Sequence, residues 1–159
     1  MDHREVRRKD KEMTDPKWME NILKRGRVLH MGLAGEAGRP YVVTMSYAWR
    51  DGVIYMHGAP VGKKNDILAV NPRVCFQVAL DVELAPAEVA SKFSMKYRSV
   101  TGFGVVRTLM DPDEKREGLN ILMDHFGGPH VDPKDVNDRV WVARIDIEHM
   151  TGKKSVYPD

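Results

Sequence analysis

At 159 residues the chain has room for one domain with a sizeable core, and too little for two. Apolar residues make up 42% and charged residues 30%, an ordinary globular balance. A formal net charge of +2 gives no overall electrostatic reason to expect a nucleic-acid partner, and a single cysteine excludes an intramolecular disulfide framework.

Residues 1–13 are almost wholly charged, with Arg4, Arg7, Arg8, Lys9 and Lys11 interleaved with acids. They read as a solvated arm, the functional alternative being a strand or arm laid across a partner subunit. The segment has no apolar centre and does not read as a signal peptide. No apolar run approaches the roughly 18 residues that would span a bilayer, so a cytoplasmic protein without a membrane partner is expected.

A helix is expected from Thr14 or Asp15, with Pro16 preset for its first turn and Gly26 closing it. Trp18, Ile22 and Met19 supply its buried face at helical spacing. Residues 27–34 read as a strand, 35–38 as a turn, 39–49 as a second strand, Asp51-Gly52 as a tight turn and 53–57 as a third strand. Gly62 opens a short helix that stops at Asn71-Pro72. Residues 73–81 are strand-like, and Cys75 within them reads as a buried small hydrophobe rather than a reactive thiol.

Residues 82–95 fit either a short helix from Pro86 or a loop. Residues 97–110 form a long extended run containing Gly102 and Gly104. Asp111-Pro112-Asp113-Glu114 combines an N-cap, a proline at the first helical position and an early acid. It opens a helix to Phe126 that ends at Gly127-Gly128-Pro129. Residues 139–148 give a last strand. The sum is about six strands and three helices in one domain over residues 1–159, antiparallel where hairpins can be read.

The chemistry concentrates between Tyr41 and Lys64. A two-residue Asp51-Gly52 turn pairs Arg50 with Val53, Ala48 with Tyr55, Ser46 with His57 and Thr44 with Ala59. One face of the hairpin then carries Tyr47, Trp49, Ile54 and Met56, which is core material. The other carries Thr44, Ser46, Ala48, Tyr55 and His57, a small and hydroxyl-bearing floor for a flat polar ligand.

Gly62-Lys63-Lys64 follows at a helix start, where free N–H groups, the helix dipole and two ammonium groups suit a phosphate. The segment is not a P-loop, because it has three residues between its glycines and Lys64 where a magnesium-binding hydroxyl belongs. Tyr97-Arg98-Ser99 offers a second cation and hydroxyl. No serine sits in a nucleophile elbow. His125 and His130 lack metal-ligand spacing, and His3, His30 and His149 are isolated.

These residues also carry a resemblance. Arg39-Pro40-Tyr41-Val42-Val43, then Asp51 to Ala59, Gly62-Lys63-Lys64 and Asn71-Pro72-Arg73-Val74-Cys75-Phe76 resemble the pyridoxamine 5′-phosphate oxidase-like flavoproteins. Tyr97-Arg98-Ser99-Val100, Gly102-Phe103-Gly104 and Thr151-Gly152-Lys153-Lys154 extend the match. The branch it looks most like is the 5-nitroimidazole resistance (Nim-type) proteins.

The resemblance implies a mainly β fold, a six-stranded antiparallel split β-barrel with flanking helices. It implies a homodimer with flavin mononucleotide (FMN) at two interface sites. By position, Val43, Thr44 and Met45 would line the isoalloxazine through backbone groups, with His57 and Gly58 by the ring and ribityl chain. Lys63 and Lys64 would hold the phosphate, joined by Arg98 and Ser99.

The implied activity is transfer of electrons from reduced flavin to a small planar acceptor such as a nitroaromatic. His57 would serve as proton donor or as a positioning group. The alternatives are a non-catalytic flavin or haem carrier and a haem-degrading relative, with deazaflavin or haem in place of FMN. The ending TGKKSVYPD lacks the arginine-rich signature that grips pyridoxal phosphate in the oxidase itself, so vitamin B6 oxidation is not expected.

Overall fold

In the computed structural model, residues 6–156 are described, and Arg4 and His3 lie outside them. Glu12–Met13 forms a short strand, β1, and Pro16–Arg25 forms helix α1. Asp15 caps α1 by accepting from the Lys17 N–H, and Gly26 ends it. Met19, Ile22 and Leu23 form its buried face, while Trp18 packs partly buried beside them.

The main sheet is built from β2 (Val28–Ala34), β3 (Pro40–Arg50), β4 (Val53–Gly58), β5 (Arg73–Ala85), β6 (Ser94–Thr108) and β7 (Trp141–Ser155). Helix α2 (Lys63–Val70) lies between β4 and β5, and α3 (Pro112–Phe126) between β6 and β7. The strand order is β1-β7-β4-β3-β2-β5-β6, and an additional β6–β7 pairing closes six of the strands into a ring. Every pairing is antiparallel. The expected six-stranded antiparallel split β-barrel is what the chain forms, with β1 added on β7.

Alternation sets inside against outside. Leu29, Met31 and Leu33 of β2, Val74, Phe76 and Val78 of β5, and Ala143 and Ile145 of β7 share one buried cluster inside the ring. Helix α1 meets β3, β5, β6 and β7 and contributes its buried face to that cluster, so it closes one end of the barrel. Helix α3 lies outside, on β3, β4 and β7, over a second small core of Ala48, Leu109, Leu119, Ile121, Leu122 and Val142. At Gly118 an added Cβ would lie 3.1 Å from Val142 and 3.2 Å from Leu109, so α3 approaches the barrel closely.

Three expectations change. β5 continues past Asp81 to Ala85 across an irregularity between Leu80 and Glu83, with Asp81 in the left-handed region at φ 53°. An aspartate tolerates that conformation, so what reads as a stop is a bulge inside a longer ribbon. Of the two readings of 82–95, the loop holds between the ribbon strands, over 86–93 with a short 3-10 turn at Ala90–Lys92. Residues 82–85 and 94–95 belong to the strands themselves. β7 runs on to Ser155, because β6 on one side and β1 on the other complete its ladder where its apolar alternation fades. Glu12 and Met13 therefore pair with Lys153 and Gly152 of their own chain.

Candidate functional site

The hairpin turn forms as expected, with Asp51 at φ 50° and Gly52 at φ 82°. Arg50 opposes Val53, Trp49 opposes Ile54, Ala48 opposes Tyr55 and Tyr47 opposes Met56. There the β3–β4 ladder ends. The expected pairings of Ser46 with His57 and of Thr44 with Ala59 do not form, because the two strands part. β3 continues beside β2 over Pro40 to Ser46, while His57 and Gly58 pair with Val142 and Trp141 of β7. Beyond Tyr47, among the described residues, the edge of β3 that faced β4 has no strand partner. This opening is the split in the barrel.

The opening also revises the proposed floor. Ala48 is buried and Tyr55 half-buried beneath α3, in the second core. Those two are packing residues. Thr44 is exposed, and Ser46 and His57 are half-buried at the parted end. Val43 is half-buried opposite Met31, and Met45 is buried opposite Leu29.

At the far lip of the opening lies the start of α2. Gly62, at φ 124°, precedes it and provides no side-chain cap. A side chain there would be strained, and the first-turn N–H groups of the helix need partners. Asn65 and Asp66 N–H groups bond the Gly62 carbonyl at 2.8 and 3.1 Å.

Lys63 is exposed, its ammonium 4.7 Å from the Tyr41 ring centroid. Lys64 turns inward. Its Nζ lies 3.5 Å from the Trp141 ring centroid and donates to Asn65 Oδ1 at 3.0 Å. Burial pushes the Lys64 ammonium below its ordinary pKa. Trp141 is held in turn by its indole N–H, which donates to Thr108 Oγ1 at 3.0 Å.

Gly58 completes this corner. A Cβ added there would meet Met45 Cε at 3.6 Å, Lys64 Nζ at 3.9 Å and Trp141 at 4.0 Å. The structure thus brings together Met45, Gly58 and Lys64, with Val43, Thr44 and His57 on the adjoining strands and Lys63 across the helix start. Trp141 and Tyr41 join them. Sequence reasoning missed both aromatics as site residues, since their stacking on lysines distant in the chain leaves no local pattern.

Arg98 and Ser99 are not part of this corner. Gly58 pairs with Trp141, the first residue of β7, whereas Arg98 and Ser99 pair with Lys154 and Lys153 near its other end. Arg98 is engaged there with Asp81 at 2.7 Å, and Ser99 is buried. Within one chain these two residues and the lysine pair stand at opposite ends of the β6–β7 ribbon.

Two histidines and the cysteine lie away from this corner. His125 Nε2 lies 2.7 Å from the Gly26 carbonyl, joining α3 to the end of α1, and His130 meets Asp124 at 2.7 Å. Cys75 is half-buried, and burial pushes its thiol pKa up, which disfavours the reactive thiolate. Alongside α2, Lys63, Asp66, Ile67 and Val70 face the turn carrying Glu36 and Arg39 across a groove of about 1140 Å³.

The family model described as pyridoxamine 5′-phosphate oxidase matches residues 15–154 of the chain. Among solved structures, a proposed 5-nitroimidazole antibiotic resistance protein from Bacteroides thetaiotaomicron is 28% identical. That match covers 90% of this chain and 86% of the other, with a TM-score of 0.80. A flavocytochrome from Azotobacter vinelandii is 24% identical over 99% of this chain and 76% of its own, with a TM-score of 0.83. A FAD and heme binding protein from Mycobacterium smegmatis is 20% identical over 94% and 76%, with a TM-score of 0.81. The last two share the fold. No curated protein matches the chain.

Proposed function

The chain belongs to the pyridoxamine 5′-phosphate oxidase family, and from that premise we propose that it is a flavin-binding oxidoreductase that reduces a small planar acceptor such as a nitroimidazole. The observation that carries this is the junction of the parted β3 edge with the uncapped, two-lysine start of α2. A flavin needs a flat opening with backbone groups along it and an anion seat at a fixed distance. Here the unpartnered edge of β3 meets a helix start that has no side-chain cap. The donor set fits a phosphate, since both lysines flank that helix start.

When bound, the flavin supplies the electrons of the reaction. The chain's own residues bind and orient. Lys63 and Lys64 hold the phosphate, Gly58 lets the ligand approach the strand end, and Val43, Thr44 and Met45 present backbone groups to the ring. His57, half-buried at the parted end of β4, delivers a proton from its imidazole to the acceptor. The acceptor occupies the exposed side of the opening, near Thr44 and Ser46.

In this proposal a homodimer completes the site. The outer faces of β2 and β5 present Val28, His30, Gln77 and Ala79, all exposed. The partner subunit's Arg98 and Ser99 then meet the flavin, since this chain's own pair lies at the wrong end of β7. We take the protein to act in the cytoplasm, with no nucleic-acid or membrane partner. Among the described residues no helix is long and apolar enough to cross a membrane.

A visible spectrum of the purified protein is the first test. Flavin bands are expected, whereas a Soret band would favour a haem carrier or haem-degrading relative, and no bands would leave the flavin site unsupported. Anaerobic reduction followed by a nitroimidazole is the second. Loss of nitro absorbance with reoxidation of the flavin is expected. Persistent nitro absorbance over reduced flavin counts against this acceptor class.

A further inference from the structure

Trp141 is the first residue of β7 and only 7% exposed, yet an ammonium group rather than an apolar side chain stands over its ring. Lys64 Nζ lies 3.5 Å from the ring centroid, well inside the roughly 6 Å over which a ring face attracts a cation.

Three features define this corner. The indole N–H donates to Thr108 Oγ1 at 3.0 Å, which ties the ring to the last residue of β6. Lys64 Nζ donates to Asn65 Oδ1 at 3.0 Å, which ties the ammonium to the first turn of α2. Gly58 lies opposite Trp141 in the β4–β7 ladder, and a Cβ there would sit 3.9 Å from Nζ and 4.0 Å from the ring. A longer side chain would crowd the ammonium, and glycine leaves the space beside it open.

An ammonium has three N–H donors. Asn65 takes one and the Trp141 ring covers another side, so a further donor is left for the open space at Gly58. Burial disfavours the charge on Lys64, and the ring and the amide oxygen offset that cost. Both partners are neutral, so neither competes with an incoming anion as a carboxylate would. A lysine stem has many rotamers, and freezing them on binding lowers affinity. Here they are restricted before any ligand arrives.

We infer that Trp141 is a positioning residue: its ring, locked by the Thr108 hydroxyl, holds the Lys64 ammonium at the open corner beside Gly58 for the phosphate it receives. Thr108 acts one step further back, through the ring. The inference rests on a flavin phosphate sitting at the start of α2, as proposed above.

The test is a double-mutant cycle on flavin affinity, followed by fluorescence, with FMN as the phosphorylated probe and riboflavin as the control that lacks the phosphate. Trp141→Leu removes the ring and should weaken FMN by about tenfold, leaving riboflavin within about twofold. Trp141→Phe keeps a ring face and should recover most of that loss. Thr108→Val, at an exposed position, frees the indole and should weaken FMN by about threefold. With Lys64→Ala already in place, Trp141→Leu should have no further effect on FMN, because no ammonium remains to be held. Circular dichroism checks that each variant is folded. Should Trp141→Leu fail to fold, the cycle of Thr108→Val with Lys64→Ala decides in its place.

Losses from Trp141→Leu and Lys64→Ala that multiply in the double variant overturn the inference. So does a loss shared equally by riboflavin, which would make the ring a wall of the opening. If Lys64→Ala weakens FMN and neither Trp141→Leu nor Thr108→Val does, the phosphate seat stands and the positioning role fails. If Lys64→Ala leaves FMN unchanged, the seat at this lysine fails and the inference fails with it.

Discussion

Lys64 shows how much one side chain depends on residues far from it in sequence. Adjacent helix positions do not face the same way, so two neighbouring lysines that read as one cluster separate into an exposed one over Tyr41 and a half-buried one over Trp141. That Gly58 and Lys64 meet was legible because they lie within one local motif. The aromatic rings beneath the lysines were not, because Trp141 enters from the other end of the chain.

If both ammonium groups serve the phosphate end, Lys63→Ala and Lys64→Ala should each weaken a phosphorylated flavin by about 1.5–3 kcal/mol, roughly ten- to a hundredfold. Riboflavin, which lacks the phosphate, should bind the variants and the parent alike. Parallel titrations check this, and an equal loss for riboflavin would mean that the lysines shape the opening rather than hold the anion. Trp141→Phe, which keeps a ring under Lys64, should lose less than Lys64→Ala.

Among the elements, α1 is fixed at both ends by groups readable to different degrees. Asp15 and Pro16 announce its start. Its end depends on Tyr47, fully buried in β3, whose hydroxyl donates to the Leu23 carbonyl at 2.7 Å. Burial raises the Tyr47 pKa, which keeps that hydroxyl a donor. Tyr47→Phe leaves a buried carbonyl short of a partner and should destabilise the fold by about 1–3 kcal/mol, measured by denaturant unfolding.

The β5 bulge supplies a pH-dependent element. Asp81 accepts from Arg25 and from Arg98, each at 2.7 Å. Those partners, Arg25 foremost, hold its carboxyl below the usual value. A carboxyl depressed in the folded state stabilises fully above its unfolded pKa, about 3.9, and that contribution disappears as pH falls through the folded value. Asp81→Asn should therefore be less stable than the parent near neutral pH, and the gap should close as pH falls below the ordinary carboxylate range. A gap that persists unchanged at low pH would assign the effect to the bulge backbone instead.

At the scale of the molecule, the local hairpin was legible and the closure of the ring was not. Asp51-Gly52 fixes the register of four residue pairs, but nothing near Ser46 or His57 states that the strands part there. That follows from β2 and β7 claiming the outer edges of β3 and β4, partners set by the whole topology. Among the described residues, the same topology leaves an outer face without a helix. Thr44, His30, Gln77 and Thr101 lie side by side across β3, β2, β5 and β6, and Val42, Gly32, Cys75 and Phe103 form the next row. Val42 is 62% and Val28 50% exposed on it.

A second copy of the chain covering this face would remove those side chains from water. The homodimer proposed above needs such a face, and the partner's Arg98 is the contact it is proposed to add. Val28→Arg combined with Gln77→Arg places two charges on the exposed sheet and disturbs neither the barrel interior nor α2. If the parent is the proposed homodimer, light scattering should report it as a dimer and the variant as a monomer, with unchanged circular dichroism. Flavin affinity should fall by about tenfold or more with the loss of the partner's contacts. A monomeric variant that binds flavin as tightly as the parent would show that one chain holds the whole site without a partner's Arg98.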